Sequence, residues 1–363
     1  MKKLMTLLLA FSMLFTLVAC GGGNTNSTAP AEKPAAADDT GNTSAGESTA
    51  DNGKIKIGFS MKTLQEERWQ RELEHCEAAA EELGVELIVQ VANNESEKQI
   101  SQIENLATQG IDILMLVPVD SGGLSTVLND LHSQGVYIMG YDQECENAWC
   151  DSYVGYDAYS IGRQIASVAS EKQVPGNYAF LLGDKAAGTA VNLMTQGFYD
   201  ELDPMIESGK AKVVMEQNCK EWKAEEGLAY AENALSANNN EIAGFICMND
   251  GIASGAIQAL DAQGLAGQCI VTGQDAELTA IQRIAAGTQT STLFKDTKVL
   301  SRKAIEIAVK TVKGEDLGTD KTMSWGVNEF PWVIVDTIVV TKDNVDSVII
   351  DGGVFTKEEI YGG

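Results

Sequence analysis

The strongest constraint on this chain is a rhythm. From residue 54 onward, short apolar runs alternate with amphipathic segments of helical period. Residues 54–61 (KIKIGFSM) read as a strand. A helix follows over 66–83, with Trp69, Leu73, Cys76, Ala80 and Leu83 on one face and Gly84 to stop it. Residues 85–91 make a second strand, and 95–109 a second helix carrying Ile100, Ile103 and Leu106. The run 111–117 is so apolar that both its faces must be buried, as in parallel sheets. Leu124, Val127, Leu128 and Leu131 mark a third helix, and 136–141 a fourth strand. This is βαβαβαβ, the sequence form of a doubly wound parallel sheet. After Asp157 the alternation restarts, with strands expected at 178–182, 212–216, 244–248 and 269–272. The strand-like stretch 332–340 is expected to return and complete this second half. The fold class is therefore α/β, with two doubly wound parallel-sheet lobes.

The apolar runs end in polar residues: Asp142, Asp157, Asp184, Asn249-Asp250, Asp275 and Asp296. These are carboxyl ends of strands, just outside which open α/β sheets bind ligands. Each acid alone reads as a helix N-cap; several facing one cleft would form a site. The stretch 271–295 is the most suggestive. It stops at Gly273-Gln274-Asp275, continues as a helix (Leu278, Ile281, Ile284, Ala285) to Gly287, and ends in a β-branched run that delivers Lys295. A carboxylate at one strand tip and an ammonium at the next can grip a polyhydroxylated molecule. The plainer alternative leaves Asp275 as a cap and Lys295 on the surface.

Composition excludes other classes. With 26 basic and 52 acidic residues the formal charge is −26, which repels phosphate backbones, and no basic run offsets it. Two histidines, His75 and His132, leave little for imidazole catalysis or metal binding. There is no phosphate loop, no G-x-G-x-x-G after a strand and no G-x-S-x-G elbow. No cofactor or metal is expected.

The N-terminus is an address. Met1-Lys2-Lys3 and the apolar run 4–17 read as a secretory signal, too short to favour a permanent span. It ends Leu17-Val18-Ala19-Cys20, which resembles a bacterial lipobox; lipidation of Cys20 would anchor the chain outside the cytoplasm. Residues 21–53 lack any large apolar side chain and read as a flexible tether of roughly 30 Å root-mean-square span. Of the six remaining cysteines, Cys145 and Cys150 lie close together in a polar loop and could close a small ring, while Cys76 and Cys247 fall on apolar elements.

Longer matches carry a resemblance. Glu67-Arg68-Trp69-Gln70, Ser101-Gln102-Ile103-Glu104-Asn105, the run 232–240 (ENALSANNN), Gly273-Gln274-Asp275-Ala276 and the run 284–290 (IAAGTQT) are similar to periplasmic sugar-binding proteins of the ribose/galactose type, most closely the D-xylose-binding branch of ABC importers. The likeness runs from about residue 54 to near the C-terminus. It implies a type I periplasmic binding protein, its lobes joined by a three-segment hinge near 155–157, 292–296 and 331–337. The lobes would be 54–155 plus 296–331, and 156–295 plus 332–363. The ligand groups it implies are Arg68, Trp69, Asp142, Trp222, Asn249, Asp275 and Lys295. The two indoles would face a pyranose, the carboxylates accept from hydroxyls, and the others donate. Two places depart from the xylose pattern. Gln143 stands where that branch has an arginine, and Gly188 and Ala190 stand at acidic and amide positions. Loss of side-chain reach there is expected to open space on the second-lobe side.

Three functions fit this reading to different degrees. The first is a lipid-anchored, monomeric substrate-binding protein delivering a monosaccharide to a membrane permease, with the ATPase on a separate chain and no catalysis of its own. The second keeps the same site but presents the sugar to a chemoreceptor or sensor kinase. The third, a secreted glycosidase, would need two strand-end acids to face each other, and the aromatic, amide-rich set argues against it. A repressor of the same fold is excluded by the lipobox and the absence of an N-terminal helix-turn-helix.

Overall fold

The computed structural model describes residues 53–362. The signal sequence, Cys20 and all but the last residue of the tether lie outside the described residues.

Apolar alternation builds the first sheet as expected. Strand β1 (Lys56–Met61) leads to helix α1 (Glu67–Leu83), then β2 (Glu86–Val91), α2 (Ser96–Thr108), β3 (Ile113–Leu116), α3 (Ser125–Ser133) and β4 (Tyr137–Tyr141). A fifth strand, β5 (Ser152–Gly155), precedes the first crossing. At four residues it was too short to stand out as a separate run. The second half runs through α4 (Ala158–Lys172), β6 (Gly176–Leu182), α5 (Thr189–Glu207), β7 (Ala211–Asn218) and α6 (Ala224–Ala237). It continues with β8 (Gly244–Cys247), α7 (Asp250–Ala262), β9 (Ile270–Gln274), α8 (Leu278–Ala286) and β10 (Ser291–Lys295). The chain then crosses back for α9 (Thr297–Lys313), β11 (Thr322–Ser324) and β12 (Glu329–Ile334). It crosses a third time to β13 (Thr337–Thr341) and the short α10 (Lys357–Tyr361).

The first sheet has the order β11-β12-β5-β4-β3-β1-β2 and the second β13-β10-β9-β8-β6-β7. Both are parallel except at one edge: β11 runs antiparallel to β12, and β13 antiparallel to β10. The stretch 332–340 is not one strand of the second lobe. Trp332, Val333 and Ile334 pair in parallel with Tyr153, Val154 and Gly155 of the first sheet, and only 337–341 joins the second. The crossing therefore falls at Val335-Asp336, a few residues beyond the expected boundary at 331. Residues 332–334 are held by the hydrogen-bonding edge of β5, which hydropathy alone does not reveal.

Helix α9 packs on α1, which ties the returning segment to the first lobe. Ser301 of α9 donates to the backbone carbonyl of Glu72 at 3.2 Å and lies 3.0 Å from the Tyr141 hydroxyl. This fixes the helix that carries Arg68 and Trp69 against the strand that leads into Asp142. The six cysteines among the described residues are free thiols, Cys145 and Cys150 included. The Cys150 thiol donates to the Ser152 carbonyl at 3.0 Å.

Candidate functional site

Asp250 is satisfied within the second lobe, accepting from the Gln289 and Thr292 side chains at 2.8 Å each; the other strand-end acids divide into two groups. Asp157 accepts from the Ser160 amide, Asp184 from that of Ala186, and Asp296 from those of Lys298 and Val299, each capping the element that follows. Asn249 caps α7, its Oδ1 accepting from the Ile252 amide at 2.8 Å, so only its amide nitrogen is left to donate to a ligand. Asp142 and Asp275 cap nothing. Both have left-handed backbones, φ 60° and 96°, as does Trp222 at 58°. Such conformations cost about 1–3 kcal/mol in a non-glycine residue and cluster at binding sites. Here neighbouring strands hold them. The Asp142 amide donates to Val154 O at 3.1 Å and that of Asp275 to Leu293 O at 2.8 Å, while Tyr153 donates to Asp142 O at 2.7 Å.

The sheets face each other with these tips in between. Arg68, from the first lobe, donates to Asp142 at 2.9 Å and reaches Asp275 of the second lobe at 3.5 Å. Its third carboxylate is Glu72, one turn along α1. Lys295, from the second lobe, lies 3.0 Å from Asp275 and 3.7 Å from Asp142. Two cations and two carboxylates thus interlock across the cleft, the side chains of all four buried. Burial disfavours the Asp142 carboxylate, but Arg68 and Lys295 outweigh it and hold its pKa down at about 2. It is ionised throughout the physiological range.

Aromatic faces flank the ion pairs. The Arg68 guanidinium lies 4.1 Å from the Trp69 ring centroid, and the Lys62 ammonium 5.2 Å from Trp69 and 5.4 Å from Trp222. Trp222 packs against Gly183, where any Cβ would collide with the indole carbons. A small cavity of about 40 Å³ remains, bounded by Asp142, Gln143, Trp222, Gln274 and Lys295 and by apolar Ala190 and Met194. Several buried polar atoms accept no hydrogen bond: Gln274 Oε1, Asp275 Oδ1, Glu66 Oε2 and Glu72 Oε2; the Tyr156 hydroxyl is likewise unpartnered. Asp275 Oδ1 is near Lys295 but not aligned to accept from it. Unsatisfied acceptors together with charged donors and indole faces suit a molecule bearing many hydroxyls.

Of the residues expected from sequence, Arg68, Trp69, Asp142, Gln143, Trp222, Asp275 and Lys295 converge, and Asn249 serves first as a cap. The space expected at Gly188 is absent. Its φ is 52°, and a Cβ there would strike Ser121 Oγ and Glu146 Oε1 of the opposite lobe. Ala190 does line the cavity. The sequence reading missed Lys62, Glu66, Glu72 and Gln274. Glu72 was readable from its i,i+4 spacing to Arg68. Lys62 directly follows a buried strand and was readable by the same strand-end position that singled out Lys295.

Contacts across the cleft complete a closed arrangement. Arg71 donates to Asp275 O at 2.9 Å, and Ser121 N to Ala186 O at 3.1 Å. Glu146 Oε1 accepts from Thr189 N at 3.0 Å and from its hydroxyl at 2.9 Å.

Five carboxyls in and around the site are pushed up, by burial first: Glu72, Glu144 and Asp250 to about 7, Glu277 to about 8, and Glu66 in the same direction. Folded protein therefore keeps protons that an unfolded chain releases above about pH 4. The stability these groups contribute is full below that pH and is lost as pH rises through 7 to 8. Asp142 has the opposite sign and weakens the fold only in strong acid. Calorimetric melting temperature is expected to be highest near about pH 5 and to fall toward about pH 8; a rise over that interval would contradict the assignment.

Two α/β lobes joined by three crossings, with an ion-paired polar cleft at their facing strand tips, define a two-lobed solute-binding protein. Residues 57–316 match the periplasmic binding protein domain. The chain is 40% identical to the D-xylose-binding periplasmic protein of Haemophilus influenzae, over 86% of this chain and 94% of that one. It is 38% identical to the protein of the same name from Escherichia coli, over 85% and 93%. Among solved structures it resembles an ABC transporter solute-binding protein from Clostridium phytofermentans with bound β-D-glucose, at TM-score 0.77 and 24% identity, covering 84% and 99% of the two chains. The chain belongs to the periplasmic binding protein family, whose members bind solutes outside the cytoplasm and do not transform them.

Proposed function

We propose that this chain is the lipid-anchored substrate-binding protein of an ABC sugar importer, and that it carries an aldopyranose in the interlobe cleft. The observation that carries the reading is the Arg68–Asp142–Lys295–Asp275 lattice with two indoles beside it, drawn from both lobes. Sugar hydroxyls can take over these hydrogen bonds pairwise, a carboxylate accepting from two neighbouring hydroxyls while the cations donate to ring oxygens. The D-xylose-binding relatives support a pentose or a closely related hexose as cargo. Cys20 supplies the anchor. The ATPase is a separate chain.

A thermal-shift panel of pentoses and hexoses on the chain from Asn52 onward tests this. A bound aldopyranose at a hundredfold excess over its Kd stabilises by about 2.7 kcal/mol, which moves the melting temperature by several degrees. Hexoses such as glucose or galactose are expected to match or exceed xylose, because Gln143 removes a charged fork and Ala190 a polar side chain. A panel in which no sugar shifts the transition would refute the proposal.

A further inference from the structure

One cation of the cleft lacks a carboxylate. Arg68 and Lys295 share Asp142 and Asp275, whereas Lys62, buried just after β1, makes no ion pair among the described residues. Its ammonium donates one long hydrogen bond, 3.4 Å, to Gln143 Oε1 and otherwise faces the two indoles. Nearby, Glu66 precedes the first turn of α1, and its Oε2 is buried with no hydrogen bond. The two groups feel each other. Burial lowers the Lys62 pKa and raises that of Glu66, and each is the strongest charge opposing the other's shift. Yet they make no ion pair, so a donor and an acceptor both stand open to a third partner. A hydroxyl fits both, its oxygen accepting from the ammonium while its proton is donated to the carboxylate.

The rest of the cleft says which hydroxyl. The ion-paired lattice and Gln274 address hydroxyls around a pyranose ring. The cavity wall formed by Ala158, Ile161, Ala190 and Met194 is apolar, and an exocyclic hydroxyl turned that way would lose its hydrogen bonds. A polar substituent beyond the ring is better satisfied by Lys62 and Glu66, which Gln143 joins to the cavity through its contact with Lys62. We infer that Lys62 and Glu66 form a donor–acceptor subsite for the exocyclic hydroxymethyl group of an aldohexopyranose, and so set the cleft's preference for hexoses over pentoses. The inference rests on the sugar-binding reading above and adds the class of sugar.

Titration calorimetry with D-glucose, D-galactose, D-xylose and D-glucuronate tests it on wild type, Lys62→Met and the near-isosteric Glu66→Gln. Wild type is expected to bind a hexose at least as tightly as xylose. In both variants hexose affinity should fall about tenfold or more relative to xylose affinity, as expected when a buried hydroxyl loses a charged partner. Equal losses for hexose and pentose, or no loss for either, would overturn the subsite while leaving the sugar site standing. Tightest binding of glucuronate would also overturn it, by showing that the ammonium serves a carboxylate. Wild type that binds none of the four would overturn the sugar reading itself, and the subsite with it.

Discussion

Replacing Asp275 by alanine is expected to weaken sugar binding about ten- to a hundredfold, from the roughly 1.5–3 kcal/mol carried by charged hydrogen bonds. Both sheets should remain intact. Asp275 caps no helix, and its backbone is held through its own amide to Leu293 O, a bond the substitution keeps. Its Oδ1 is buried and accepts no hydrogen bond, which is the state a sugar hydroxyl would relieve. Removing the carboxylate also frees Lys295, which retains Asp142 at 3.7 Å. Titration calorimetry reads the effect, and unchanged affinity for the bound sugar would remove Asp275 from the site.

The second large effect concerns stability. Arg68→Met should destabilise the chain by about 3–5 kcal/mol, because it leaves Glu72, Asp142 and Asp275 buried without the guanidinium they share. Part of the loss should be recoverable. Without Arg68, the carboxyls of Glu72 and Asp142 titrate at higher pH in the folded chain, so the penalty shrinks as pH falls and they protonate. Melting curves of wild type and variant at about pH 8 and pH 5 should therefore show a gap that narrows in acid. A gap that widens, or none at either pH, would mean that the lattice does not hold the lobes as described.

Much of this was legible from the chain because burial on both faces leaves a plain signature. The runs at 111–117 and 244–248 can be little other than central parallel strands. Where hydropathy gave less, pairing decided. β5 is only four residues long, and Trp332–Ile334 went to the first sheet because an edge was free to accept it. At the site, sequence placed acids at strand tips but could not separate caps from ligands. That distinction lives in the backbone: Asp157 and Asp296 lie where their side chains fold back on following amides, whereas the left-handed φ of Asp142 and Asp275 turns theirs into the cleft. Gly188 failed for a related reason. A missing side chain reads as space only when nothing from the other lobe fills it, and Ser121 and Glu146 do.

The central claim is that one sugar is held by both lobes at once. Titration of D-xylose and D-glucose into wild type, Asp142→Ala and Asp275→Ala tests it most directly, since the two acids end strands in different sheets. Saturable one-to-one binding by wild type, weakened about tenfold or more by each substitution, is the expected result. Binding weakened by only one of them would confine the ligand to a single lobe and contradict the account.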